Sequence, residues 1–126
     1  MISLNIFESG EDYLERILML KKQNKIVRAI DIATSLGYSR ASVSVALKKL
    51  NEEGYITIVD RNIDLTKKGL KIANEMLERH QLLTNMLVNL GVPYEIAEDD
   101  ACKIEHHLSK ESYKAIKNYL INNKVI

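Results

Sequence analysis

A glycine at position 37 separates two runs of helical spacing, and this pairing constrains the fold more than any other feature. Before it, Ala29 to Leu36 sets Ile30, Ile32, Ala33 and Leu36 as the apolar positions of a short helix. After it, Arg40 to about Glu53 carries Val43, Leu47 and Leu50 on one side. Gly37 can end the first helix because it adopts the left-handed conformation at little cost, and Ser39 can cap the second. Two helices joined by a tight turn containing Gly form a helix-turn-helix. Small Ala33 lets the second helix approach, and Val43 and Leu47 fill the space between the two.

The flanking segments extend this unit. Glu11 to Lys22 reads as a preceding helix, with Tyr13, Leu14, Ile17, Leu18 and Met19 apolar. Gly54 stops the second helix of the pair. Tyr55-Ile56-Thr57-Ile58-Val59 is then rich in β-branched residues, Asp60-Arg61-Asn62 is a turn, and Ile63-Asp64-Leu65 can pair back as a hairpin. Thr66 caps a long helix reaching about Leu90 and ended by Gly91. Pro93 suits the start of a helix from Tyr94 to His107, and Ser109 caps a last one from Lys110 to Asn122. The expected class is mainly α: an N-terminal winged helix-turn-helix with a small β-hairpin wing over residues 1–70, then a C-terminal helical domain over 71–126. Aromatic residues are few, so aliphatic side chains must build the core. A second copy could cover helix faces that so short a chain cannot bury alone.

The net charge of +1 decides nothing, but its distribution does. From Arg16 to Lys49 the basic residues are Arg16, Lys21, Lys22, Lys25, Arg28, Arg40, Lys48 and Lys49, against the single acid Asp31. Glu95, Glu98, Asp99 and Asp100 form an acidic stretch further on. The first pattern suits a polyanion and the second a cation, although unevenly charged surface alone would look the same. No apolar run approaches the roughly 20 residues of a membrane span. Met1 to Gly10 lacks the basic-then-apolar pattern of a secretory signal. Cys102 is the only cysteine, so no internal disulfide can form. A lone thiol without an export signal predicts a cytoplasmic protein.

If the helix-turn-helix binds double-stranded DNA, the start of its second helix faces the major groove with short side chains and one Arg: Ser39, Arg40, Ala41, Ser42 and Ser44. Arg40 is the expected reader of a guanine, while Lys48 and Lys49 would contact phosphates. Arg61 at the hairpin tip and Arg28 complete the candidate DNA-binding set. A helix-turn-helix that packs only on protein is the plainer alternative, which the basic run disfavours.

Cys102-Lys103-Ile104-Glu105-His106-His107-Leu108 carries a second signal. On a helix, Cys102, Glu105 and His106 share a face, whereas His107 lies about 100° further round. Thiolate, carboxylate and imidazole together suit a transition metal. Asp12 and Glu15, three apart, and His80 on the long helix could complete a shell. Taken singly, each has an ordinary explanation. A helical His is usually a core or surface residue, and acids near a helix N-terminus favour its dipole.

The segments Glu11-Asp12-Tyr13-Leu14-Glu15-Arg16-Ile17, the helix-turn-helix with Ser42-Val43, Leu65-Thr66-Lys67-Lys68-Gly69, Arg79-His80-Gln81-Leu82-Leu83 and Ile104-Glu105-His106-His107-Leu108-Ser109 make the chain resemble a known family. That family is the diphtheria-toxin-repressor family of metal-dependent transcriptional regulators, and within it the small manganese-transport-regulator branch. The resemblance implies a winged helix, a helical dimerisation half, and Asp12, Glu15, His80, Glu105 and His106 as ligands. At the sixth ligand position the manganese branch has Glu where this chain has Cys102. The iron-responsive branch has Cys there, but Met where this chain has Asp12. The implied cofactor is Mn²⁺ or Fe²⁺, with the thiolate tilting toward Fe²⁺. The implied function is metal-responsive repression of metal-uptake genes by a homodimer on a pseudo-palindromic operator. A rival is a winged-helix regulator sensing redox state through Cys102. An enzyme is not expected: there is no His-Glu-x-x-His, no Gly-rich phosphate loop and no Ser–His–Asp arrangement, hence no small-molecule substrate.

Overall fold

The computed structural model describes residues 8–125. Most of the opening segment, Met1 to Gly10, lies outside the described residues. The elements run α1 (Glu8–Gln23), α2 (Ala29–Leu36), α3 (Arg40–Glu52), β1 (Ile56–Val59), β2 (Asn62–Leu65), α4 (Lys67–Asn89), α5 (Tyr94–Ile104) and α6 (Lys110–Asn122). The chain divides into two compact units, with the boundary inside α4 between Asn74 and Glu75.

In the first unit, α1, α2 and α3 pack around Leu14, Ile17, Ile32, Val43 and Leu50, none of which has exposed surface. α1 begins three residues before Glu11, because its first turn holds polar residues and Gly10 that carry no apolar period. Gly37 ends α2 with φ 72°, and its N–H bonds the Ala33 carbonyl. The Arg28 N–H donates to the Asp31 carboxylate (2.9 Å), which fixes the start of α2.

β1 and β2 pair antiparallel, Ile56 opposite Leu65 and Val59 opposite Asn62. The connection has two residues, Asp60 (φ 51°) and Arg61 (φ 68°), rather than the three read from the sequence. Two left-handed residues in succession match the twist of a tight hairpin. Asn62 therefore belongs to the strand, and its side chain ties the wing down. Its Oδ1 accepts from the Val27 N–H (3.1 Å) and from Lys21 Nζ (2.8 Å). The Ile63 N–H bonds the Val27 carbonyl (2.8 Å), extending the hairpin toward the loop before α2.

The start of α4 closes this unit. Thr66 Oγ1 donates to the Gly54 carbonyl (2.7 Å) and accepts from the Gly69 N–H (3.2 Å). Gly69 passes so near the Tyr55 carbonyl that a Cβ there would overlap the oxygen.

The second unit holds the rest of α4 with α5 and α6. Leu82, Leu83, Ala101, Tyr113 and Leu120 form its core, with Met86, Ile104, Leu108 and Ile116 packed against them. α5 ends at Ile104, three residues short of the helix expected to run to His107. The Glu105 N–H still bonds the Ala101 carbonyl, but the His107 N–H turns to Ile104 (2.9 Å), a tighter closure than α-helix. Among the described residues no helix is long and apolar enough to cross a membrane.

Candidate metal centre and nucleic-acid interface

In the second unit, Glu105 sits at the C-terminal end of α5 with 0% of its side chain exposed. Neither carboxylate oxygen has a hydrogen-bond partner among the described residues. Two imidazoles flank it: His80 Nδ1 from α4 at 3.6 Å and His106 Nε2 at 3.7 Å, both measured to Oε1. Such spacings are too long for hydrogen bonds. They approach the separation of donors sharing one cation, because ligand atoms each ~2.1 Å from an ion lie roughly 3–3.6 Å apart. An unsatisfied buried carboxylate costs several kcal/mol unless a positive charge meets it, so the donor set fits a divalent cation.

The helix that was expected to align Cys102, Glu105 and His106 ends at Ile104, with Glu105 as its C-cap in helical backbone at φ −56° and ψ −31°. Cys102, one turn earlier, is half-buried. The position of His106 is set instead by the turn between α5 and α6, where its side chain is 2% exposed and that of His107 lies at the surface. Asp12 and Glu15 belong to the first unit, one turn apart on α1, and Glu15 is 6% exposed.

The sequence reading missed Arg79. Buried to 4% exposure, it donates from Nη1 to the carbonyls of Glu105 (3.0 Å) and Leu108 (2.8 Å). Its guanidinium lies 4.8 Å from the centroid of the Tyr113 ring. Tyr113 Oη donates to Glu78 (2.9 Å), which also accepts from Lys117 Nζ (2.9 Å). The Lys117 hydrogen bond is the largest cause holding the Glu78 carboxyl below its ordinary value, while burial raises the Tyr113 phenol. The only signal for Arg79 in the sequence was a strong cation among apolar residues at helical spacing.

In the first unit, α3 buries Val43, Ala46, Leu47 and Leu50 and turns Arg40, Ala41, Ser42, Ser44, Lys48 and Lys49 outward. Ser39 caps it, accepting from the Ser42 N–H (3.1 Å) and donating to Ser42 Oγ (2.9 Å). These two candidate base readers thus hold each other at the helix start. Val45, left out of the sequence-based set, is 71% exposed on the same outward surface. Its position four residues after Ala41 was the available sign. Arg61 and Arg28 are exposed as well. The basic run contributes less free charge than its composition suggests, because Lys21 pairs with Asp64 (2.7 Å) at the base of the wing.

A winged helix-turn-helix with an outward basic helix, followed by a helical unit in which two imidazoles flank a buried carboxylate, has the parts of a DNA-binding protein that responds to a metal. Residues 5–62 match the family profile described as iron dependent repressor, N-terminal DNA binding domain. Residues 66–125 match its metal binding and dimerisation domain. The transcriptional regulator MntR of Escherichia coli O6:H1 is 41% identical over 108 residues, covering 85% of this chain and 70% of that protein. An HTH-type transcriptional regulator of Methanocaldococcus jannaschii is 35% identical over 116 residues, covering 90% of this chain and 93% of its own. Among solved structures, a manganese-dependent transcriptional repressor complexed with manganese superposes with a TM-score of 0.82 at 30% identity. That match covers 88% of this chain and 52% of the other.

The chain belongs to the iron-dependent repressor family. It is a metal-dependent transcriptional regulator with a DNA-binding domain and a metal-binding and dimerisation domain, and not an enzyme. The alternative of redox sensing through Cys102 finds no support in these relationships.

Proposed function

We propose that the chain is a cytoplasmic repressor of metal-uptake genes that grips a pseudo-palindromic operator as a homodimer when Mn²⁺ or Fe²⁺ is bound. Glu105 carries this reading: a fully buried carboxylate without a hydrogen bond among the described residues, flanked by two imidazole nitrogens, calls for a cation. Its ligands are Glu105, His106 and His80, joined by Asp12, Glu15 and Cys102. Asp12, Glu15, Glu105 and His106 alone offer three carboxylates and an imidazole, a hard donor set that favours Mn²⁺. The Cys102 thiolate is softer and favours Fe²⁺. The similar solved structure of a manganese-dependent repressor supports the first ion.

Ser39, Arg40, Ala41, Ser42 and Ser44 face the bases, with Val45 added as an apolar contact. Lys48, Lys49, Arg28 and Arg61 face the phosphates. Metal and DNA favour each other because the protein that has bound one has less ordering left to do for the other.

Anaerobic calorimetric titration of the metal-free protein with Mn²⁺ and with Fe²⁺ tests the metal reading. Saturable binding lost in Glu105→Gln supports it, and Cys102→Ala separates the two ions. Weakened Fe²⁺ with unchanged Mn²⁺ marks the thiolate as a ligand for iron. No saturable binding of either ion would refute the proposal.

A further inference from the structure

Arg79 directs hydrogen bonds from a buried guanidinium at two backbone carbonyls. Its partners are the carbonyls of Glu105 and Leu108 and the Tyr113 ring, and through space it also favours the charged form of the Glu78 carboxylate. The Glu105 carbonyl lies at the C-cap of α5, where its helical partner is missing, and the Leu108 carbonyl lies just past the turn, before the Ser109 cap of α6. The two bonds bracket residues 105–108, the segment that contains His106. Arg79 is also the neighbour of His80 on α4. One guanidinium therefore fixes the backbone of Glu105 and His106 relative to the helix that carries His80. Tyr113 of α6 supports that guanidinium and is itself held by Glu78.

We infer that Arg79 is the positioning residue of the metal centre, locking the turn that carries Glu105 and His106 into register with His80. This rests on the reading of those three residues as ligands. Lys could not replace it, because a flexible ammonium lacks the planar, pre-organised donors of the guanidinium. Groups that orient metal ligands typically account for about 10–100-fold in metal affinity.

The test compares Arg79→Lys and Arg79→Gln with the wild-type protein and with Leu120→Ala, a cavity in the same core away from the turn. Mn²⁺ affinity is read by calorimetry, site geometry by the visible absorption of bound Co²⁺, and folding by circular dichroism. The expected result is Mn²⁺ affinity at least about tenfold lower in both Arg79 variants, with shifted Co²⁺ bands. Leu120→Ala should lose thermal stability yet keep the wild-type affinity and spectrum. Unchanged affinity and spectrum in folded Arg79 variants would overturn the inference, as would an equal loss of affinity in Leu120→Ala. If neither Arg79 variant folds, Tyr113→Leu decides: it should weaken Mn²⁺ and shift the Co²⁺ bands, and wild-type behaviour would overturn the assignment. Glu105→Gln separates the two levels. Loss of binding there with wild-type binding in Arg79→Lys removes only the positioning role, whereas retained binding in Glu105→Gln removes the ligand reading itself.

Discussion

Glu105 holds its carboxylate where water does not reach, with neither oxygen in a hydrogen bond among the described residues. A buried charge of this kind destabilises the metal-free fold and stabilises the loaded one. Glu105→Gln should therefore leave the metal-free thermal midpoint unchanged or raised, while abolishing the rise that Mn²⁺ produces. In the wild type that rise reflects about 2.7 kcal/mol at an ion concentration one hundred times Kd. Differential scanning fluorimetry with and without Mn²⁺ reads both quantities, and a persistent Mn²⁺-induced rise in the variant would contradict the assignment. On the DNA side, Arg40→Ala should cost about 1–3 kcal/mol on a preferred site and relax the sequence preference. Lys48→Ala should weaken all sequences alike and lower the salt slope by about 1. Competition binding at several salt concentrations distinguishes these patterns. Residue type marked the candidate donors, because thiolate, carboxylate and imidazole close together along a chain suit a transition metal. Arg79 stayed hidden because its partners are backbone carbonyls far along the chain, which leave no trace in residue identity.

Among the elements, the helix-turn-helix was the most legible, since Gly37, Ser39 and the apolar period each specify a boundary by a separate physical rule. The turn after α5 was the least legible. Nothing in Cys102 to His107 breaks a helix, and the break coincides with Ser109 capping α6 and with Arg79 binding the carbonyls of Glu105 and Leu108. Spacing alone therefore carried the helix to His107, whereas α5 stops at Ile104 with Glu105 as its C-cap. The wing was legible as a hairpin, but the extent of its loop was not. Asp60 and Arg61 both adopt positive φ without a glycine, and the hydrogen bonds of Asn62 hold the strand end in place. The junction between hairpin and α4 makes its own demand at Gly69, where a methyl group would strike the Tyr55 carbonyl. Gly69→Ala should cost about 1–3 kcal/mol of stability, as overpacking does. Chemical denaturation would show it as a lower midpoint with an unchanged slope.

For the molecule as a whole, the sequence and the structure assign DNA contact to one compact unit and the His–Glu–His cluster to the other. Regulation requires these two binding events to share free energy, and linkage makes that sharing reciprocal. DNA that the protein prefers must tighten Mn²⁺ binding by the same factor by which Mn²⁺ tightens DNA binding. The dimer fits the same scheme, since two recognition helices on a two-fold operator contribute together. The most direct measurement is fluorescence anisotropy with a duplex selected from a random pool by the Mn²⁺-loaded protein, titrated in saturating Mn²⁺ and again with a chelator. Coupling through binding predicts affinity about 5–150-fold tighter with metal, and no such gain in Glu105→Gln. Equal affinities in the two conditions, for a protein that calorimetry shows to bind Mn²⁺ stoichiometrically, would contradict metal control of DNA binding.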